Sequence, residues 1–100
     1  MIRHLLLMKF NSDIPIQKIS EIRDVFLSVS DKIPGILSVE WGGNNSSEGK
    51  ASGFTHCVTM VFMDEFTRGW YLSHTEHFVL KNFRLFLADI IAFDYQFGSL

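Results

Sequence analysis

Residues 2–10 alternate in character, with Ile2, His4, Leu6, Met8 and Phe10 on one side and Arg3, Leu5, Leu7 and Lys9 on the other. A period of two belongs to a pleated strand, and the centre of this one is apolar on both faces. Asn11-Ser12-Asp13 offers turn and N-cap chemistry, and Pro15 suits a first helical turn, where its missing N–H costs nothing. Ile16, Ile19, Ile22, Phe26, Val29 and Ile33 then recur at steps of three or four between Lys18, Glu21, Arg23, Asp24 and Asp31. That is an amphipathic helix burying one stripe, and Pro34-Gly35 ends it.

Residues 36–41 read as a second strand, with Leu37, Val39 and Trp41 on one face and Ile36, Ser38 and Glu40 on the other. A half-polar face is what an outer strand carries. The stretch 42–53 has almost no apolar side chain and is dense in turn-tolerant residues, so it is a loop. Its Gly49-Lys50-Ala51 leads into a strand where a phosphate cradle would need a helix. Residues 54–63 alternate again, Phe54, His56, Val58, Met60 and Phe62 against Thr55, Cys57, Thr59, Val61 and Met63. Asp64 can cap a short helix carrying Phe66, Trp70 and Tyr71, which leads into a turn at His74 to His77. A longer helix is expected next, with Phe78, Phe83, Phe86 or Leu87, and Ile90 as its buried stripe. Residues 89–97 close the chain as a strand, Ile91, Phe93, Tyr95 and Phe97 alternating with Ala92, Asp94 and Gln96.

The order β-α-β-β-α-β implies an α+β fold of the ferredoxin-like kind, an antiparallel sheet with both helices on one face and the first and third strands at its centre. In a lone protomer the other face would meet water. Both faces of the central strands are apolar here, so two copies are expected to pack sheet to sheet as a homodimer. Composition agrees, because 47% hydrophobic residues and ten Phe in a 100-residue chain exceed what one small core needs, leaving a surplus for a partner subunit or a small apolar ligand.

Nine basic and eleven acidic side chains give a net charge of -2 with no basic cluster, which argues against nucleic acid. The lone Cys57 fits a reducing compartment and reads as a small buried hydrophobe. No run approaches membrane-spanning length, and Lys9 interrupts the first apolar run too soon for a signal peptide. The expectation is one domain over 1–100, in the cytoplasm, without a membrane partner.

Candidate chemistry concentrates in residues 71–77, where a phenol, two imidazoles and a carboxylate lie close together as Tyr71, His74, Glu76 and His77. A neutral imidazole at His77 can remove an acidic proton next to a carbonyl while the Tyr71 phenol hydrogen bonds to the developing enolate. A structural hydrogen-bond network is the competing account. His4 and His56 share the face of Met8 and Val58 on strands expected to be neighbours, so they either line the space beneath the helices or serve as buried, hydrogen-bonded packing residues. His74 and His77 alone make a weak metal signal, since such sites need three converging ligands, and no metal or cofactor is expected. Asp94 reads as an edge or turn carboxylate, and Trp41 and Trp70 as packing residues, Trp41 at a subunit contact.

Several of these features in register, Ile2-Arg3-His4-Leu5, Ile33-Pro34-Gly35-Ile36, Trp41-Gly42, Gly53-Phe54-Thr55-His56, Tyr71 with His74 and His77, and Phe93-Asp94-Tyr95, resemble the stress-responsive A/B barrel (Dabb) domain family. The resemblance spans nearly the whole chain and implies a dimeric α/β barrel of ferredoxin-like protomers. Family functions range from stress-induced plant proteins to a polyketide cyclase that closes a linear chain by aldol condensation without a metal. In that cyclase a tyrosine and a histidine match Tyr71 and His77, and further pocket histidines match His4 and His56. Phe26 stands where it has a pocket tyrosine, and Thr75 where the family usually has proline. The resemblance thus implies catalytic Tyr71 and His77 with a pocket lined by His4, Met8, Phe26, His56, Val58 and His74. Its two functional implications are cyclase- or lyase-like acid-base chemistry on a small apolar carbonyl compound, and a non-enzymatic stress-responsive binding or stability role.

Overall fold

Alternating apolar residues draw two strands to the middle of one sheet. These are β1 (Ile2–Phe10) and β3 (His56–Phe62), paired antiparallel with Leu6 opposite Val58 and His4 opposite Met60. The computed structural model describes residues 1–75 and 83–98. The other described elements are α1 (Ile16–Lys32), β2 (Ile36–Gly43), α2 (Glu65–Thr75), a 3-10 turn (Arg84–Phe86) and β4 (Leu87–Gln96). All strand pairings are antiparallel, in the order β2-β3-β1-β4, so β1 and β3 are central as expected and β2 and β4 form the edges.

The core lies on the helix-facing side of this sheet. Ile2, Leu6 and Met8 of β1 and Val58, Met60 and Phe62 of β3 are buried there with Ile22, Phe26 and Val29 of α1 and Tyr71 of α2. Burial of each large aliphatic or aromatic side chain contributes about 1.5–3 kcal/mol, so this stripe and its facing strands carry most of the fold's stabilisation.

The opposite face presents Leu5, Leu7, Thr59, Val61, Ile91, Phe93 and Tyr95. Phe93 is 63% exposed there. Arg3 on this face is engaged by aromatic neighbours, donating to the Tyr95 hydroxyl at 2.9 Å with its guanidinium 4.0 Å from the Phe97 ring centroid.

Three local expectations are corrected. The N-cap of α1 is Pro15 without a side-chain cap, and the Asn11 side chain serves instead to tie the start of α1 to the approach to β4, its amide donating to the Leu85 carbonyl. In β2 the register shifts between Ile36 and Ser38, so Ile36 is buried and Leu37 is 55% exposed, the reverse of strict alternation. Trp41 sits on the helix-facing side, partly buried against Phe26 and His56, on the side of the sheet opposite the outer face. Finally, Leu87 and Ile90 belong to β4 and not to a helix stripe. β4 pairs along all nine residues of β1, and ladder hydrogen bonds outweigh a four-residue helical coincidence. Phe78 lies outside the described residues, while Phe83 is buried against Phe26 at 5.4 Å between centroids.

The turn between α1 and β2 depends on Gly35, whose φ of +94° lies in the region that side chains disfavour. A Cβ there would stand 2.5 Å from Thr67 Oγ1 on α2. The Gly35 carbonyl meanwhile accepts from the Met63 N–H at 2.8 Å, so backbone displacement would break the seam that leads into α2. Gly35→Ala is therefore expected to destabilise the protein by about 2–4 kcal/mol in urea denaturation. Adding Thr67→Ala should recover part of the steric loss, offset by the loss of the Thr67 hydroxyl bond to Asp64, and leave the backbone part.

Candidate functional site

Tyr71 is brought inward by its position on α2, whose start is fixed by Asp64. The Asp64 carboxylate accepts from the Thr67 backbone N–H and hydroxyl, both at 2.8 Å, and those bonds hold its pKa below the usual carboxylate value. Two turns into the helix the Tyr71 ring is 2% exposed, packed 5.3 Å from Phe62 and edge-on to His4 at 6.1 Å between centroids. Burial pushes its pKa well above the ordinary phenol value. The hydroxyl is thus a proton-bearing donor and not a base near neutrality.

His4, 4% exposed on β1, stands opposite Asp94 in the β1·β4 ladder, and its Nδ1 lies 2.5 Å from Asp94 Oδ1. The other carboxylate oxygen accepts from the Arg68 guanidinium at 3.4 Å. A phenol, an imidazole, a carboxylate and a guanidinium thus meet from three elements, α2, β1 and β4. With Asp94 accepting from Nδ1–H, the lone pair of the neutral His4 ring resides on Nε2, the form that can take a proton. Asp94 is on an edge strand, as read from the sequence, but its carboxylate turns inward. Its phase with Ala92 and Gln96, opposite to Phe93 and Tyr95, was the available signal. Nothing in the sequence marked Arg68.

The remaining candidates divide. Met8, Phe26 and Val58 are fully buried beneath the helices. His56 shares their face, but four ladder positions separate it from His4, roughly 13 Å along a strand. It forms a separate cluster, its ring 5.4 Å from Phe10 and from Trp41 and its Nδ1 2.8 Å from the Thr55 hydroxyl. His74 stacks on Trp70 at 3.8 Å and donates from Nδ1 to the Trp70 carbonyl, which anchors it along α2. His77 and Glu76 lie outside the described residues. Among the described residues no three His, Cys, Asp or Glu side chains converge as metal ligands. A cleft of about 430 Å³ opens on the other side of the sheet, where Leu7, Cys57, Thr59 and Ile91 meet the β2–β3 loop at Asn44 and Lys50.

A family model, the stress responsive A/B barrel domain, matches residues 2–97. The chain belongs to this family. Olivetolic acid cyclase of Cannabis sativa is 27% identical over 95 residues, which cover 94% of each chain. Among solved structures, hydroxynitrile lyase from Passiflora edulis superposes with a TM-score of 0.86 at 20% identity, covering 99% of this chain and 94% of that one. A dimeric ferredoxin-like protein of unknown function from Thermobifida fusca gives 0.80 at 18%, covering 96% and 90%. The ferredoxin-like fold is thereby shared with proteins described as dimers. No helix among the described residues is long and apolar enough to cross a membrane.

Desolvation lowers the His56 pKa from its ordinary value of 6.5. The unfolded chain then binds this proton more readily than the folded one, so the His56 contribution is most favourable above 6.5 and declines as pH falls towards the folded value. Between about pH 7.5 and about pH 5.5 the urea midpoint of the wild type should fall further than that of His56→Gln. Equal slopes for the two proteins would contradict this assignment.

Proposed function

We propose that this Dabb-family protein is a cytoplasmic homodimer that performs metal-free acid-base chemistry, of the cyclase or lyase kind, on a small apolar carbonyl compound. The observation that carries the reading is the buried Tyr71 phenol edge-on to a His4 imidazole already paired with Asp94. Abstraction of a proton beside a carbonyl needs a neutral imidazole and a donor for the enolate oxygen. Tyr71 meets the second need because burial keeps its proton in place. His77 is the proposed base from its spacing to Tyr71 and from the family resemblance, with His4 as the adjoining pocket imidazole. Relatives that include a cyclase and a lyase support this class of chemistry.

The outer sheet face supports the homodimer. Leaving Phe93, Ile91 and Tyr95 in water forgoes about 1.5–3 kcal/mol of burial free energy for each well-covered side chain, which a second apolar sheet would recover. Phe93→Glu is expected to convert a dimer into a folded monomer in native mass spectrometry, and the wild-type spectrum also reports any retained small molecule. A monomeric wild type would remove this part of the proposal.

The chemistry is tested by deuterium exchange at the acidic α-protons of small aliphatic β-diketones, followed by proton NMR with the dimeric protein. His77→Ala should slow catalysed exchange by about 10²–10⁴-fold with the dimer intact, and Tyr71→Phe by about 10²-fold or more. Catalysis that survives in His77→Ala would exclude His77 as the base. The alternative is a non-enzymatic stress-responsive binding or stability role, favoured by the complete burial of Met8, Phe26 and Val58 where a pocket lining was expected. It predicts no exchange above background with any of these compounds.

A further inference from the structure

We infer that Arg68 is a positioning residue for the His4 imidazole, acting through Asp94 to hold the ring in its Nδ1–H tautomer. The inference rests on the proton-transfer reading of the His4 and Tyr71 cluster, but its geometry stands apart from the identity of any substrate. Asp94 is on an edge strand and 24% exposed, so its carboxylate has water as a competing partner. Two protein groups occupy it from different sides: His4 Nδ1 at Oδ1, 2.5 Å away, and the Arg68 guanidinium at Oδ2, 3.4 Å away. Rotation of the carboxylate out towards solvent would break both bonds together. Arg68 is therefore the group that keeps a solvent-accessible acceptor aimed at a buried ring.

The placement of Arg68 adds to the case. It lies three residues before Tyr71 on α2, so a single turn of one helix supplies both the buried phenol and the clamp on the carboxylate. Any shift of α2 along the sheet would move Tyr71 relative to His4 and loosen Asp94 at the same time. The pair itself is partly exposed, 29% at Arg68, and contributes little as a salt bridge. Its consequence is orientational. With Asp94 accepting from Nδ1–H, the neutral ring carries its lone pair on Nε2. With Asp94 turned away, the proton can reside on Nε2 instead, and that nitrogen can no longer act as an acceptor. A purely structural Arg68, pinning α2 to β4, would affect stability without selecting a tautomer.

Long-range proton–nitrogen correlation spectra of the full-length, uniformly nitrogen-15-labelled protein, taken above the imidazole titration range, decide between these accounts. The wild type should show His4 protonated at Nδ1 with Nε2 bearing the lone pair. Arg68→Met should reduce that preference by about threefold to fivefold, Arg68→Lys should restore part of it, and Asp94→Asn should remove it. A wild-type His4 protonated at Nε2 overturns the proposal outright, whether or not any variant folds. So does an Arg68→Met protein with an unchanged tautomer ratio and a lowered melting temperature, which is the result for a structural pin. Because the readout uses no substrate, failure of the catalytic reading would appear separately, as undiminished exchange activity in His77→Ala and Tyr71→Phe.

Discussion

The fold depends on β1 being apolar on both sides at its centre. Paired on both edges, by β3 and by β4, this strand points Leu6 and Met8 into the helix-facing core and Leu5 and Leu7 to the other side of the sheet. One requirement is met within the protomer, by α1 and α2. The other is not, which is why a two-layer chain of this size carries more apolar residues than its own core can use. Even the polar members of the strand are recruited: His4 finds Asp94 across the ladder, and Arg3 finds the Tyr95 hydroxyl and the Phe97 ring.

Much of this was legible because a period of two can be read from side-chain type alone. The strand alternation in residues 2–10 and 54–63 gave the central pair, and the steps of three and four from Ile16 to Ile33 gave α1. Failures came where one local pattern yields to a longer-range partner. The shift at Ile36–Ser38 inserts a residue that alternation cannot anticipate, so Ile36 is buried and Leu37 exposed, the reverse of strict alternation. Leu87 and Ile90 fit a helical stripe by spacing, but β1 extends far enough to pair with them. Asn11 looks like a cap in isolation, and its actual partner, the Leu85 carbonyl, is 74 residues away.

The candidate site divides on the same principle. His4 was visible because a histidine at an inward position of an apolar strand demands a partner. The partner could not be named, since Asp94 lies at the far end of the chain and only the β1·β4 register brings it opposite. His56, on the same face as His4, suggested one constellation, but parity says nothing about distance along a strand, and the two rings sit in different aromatic environments. Arg68 carried no signal because a single arginine on a short helix is ordinarily a solvated residue. Its role emerges only once Asp94 is seen to offer a second oxygen.

Burial assigns the groups around Tyr71 their chemical roles. Desolvation raises the cost of the phenolate, so the buried Tyr71 stays a donor, while the Asp94 carboxylate at Nδ1 orients the His4 ring. The same close packing that excludes water also leaves little open space, for Met8, Phe26 and Val58 have no exposed surface. Under the proposed reading, a ligand entering here would have to replace packing contacts, which favours small apolar molecules over polar ones. That requirement also explains why the polar groups are anchored from outside the core: Arg68 and Asp94 remain partly exposed, where their charges are least costly, and reach the buried ring through a single hydrogen bond.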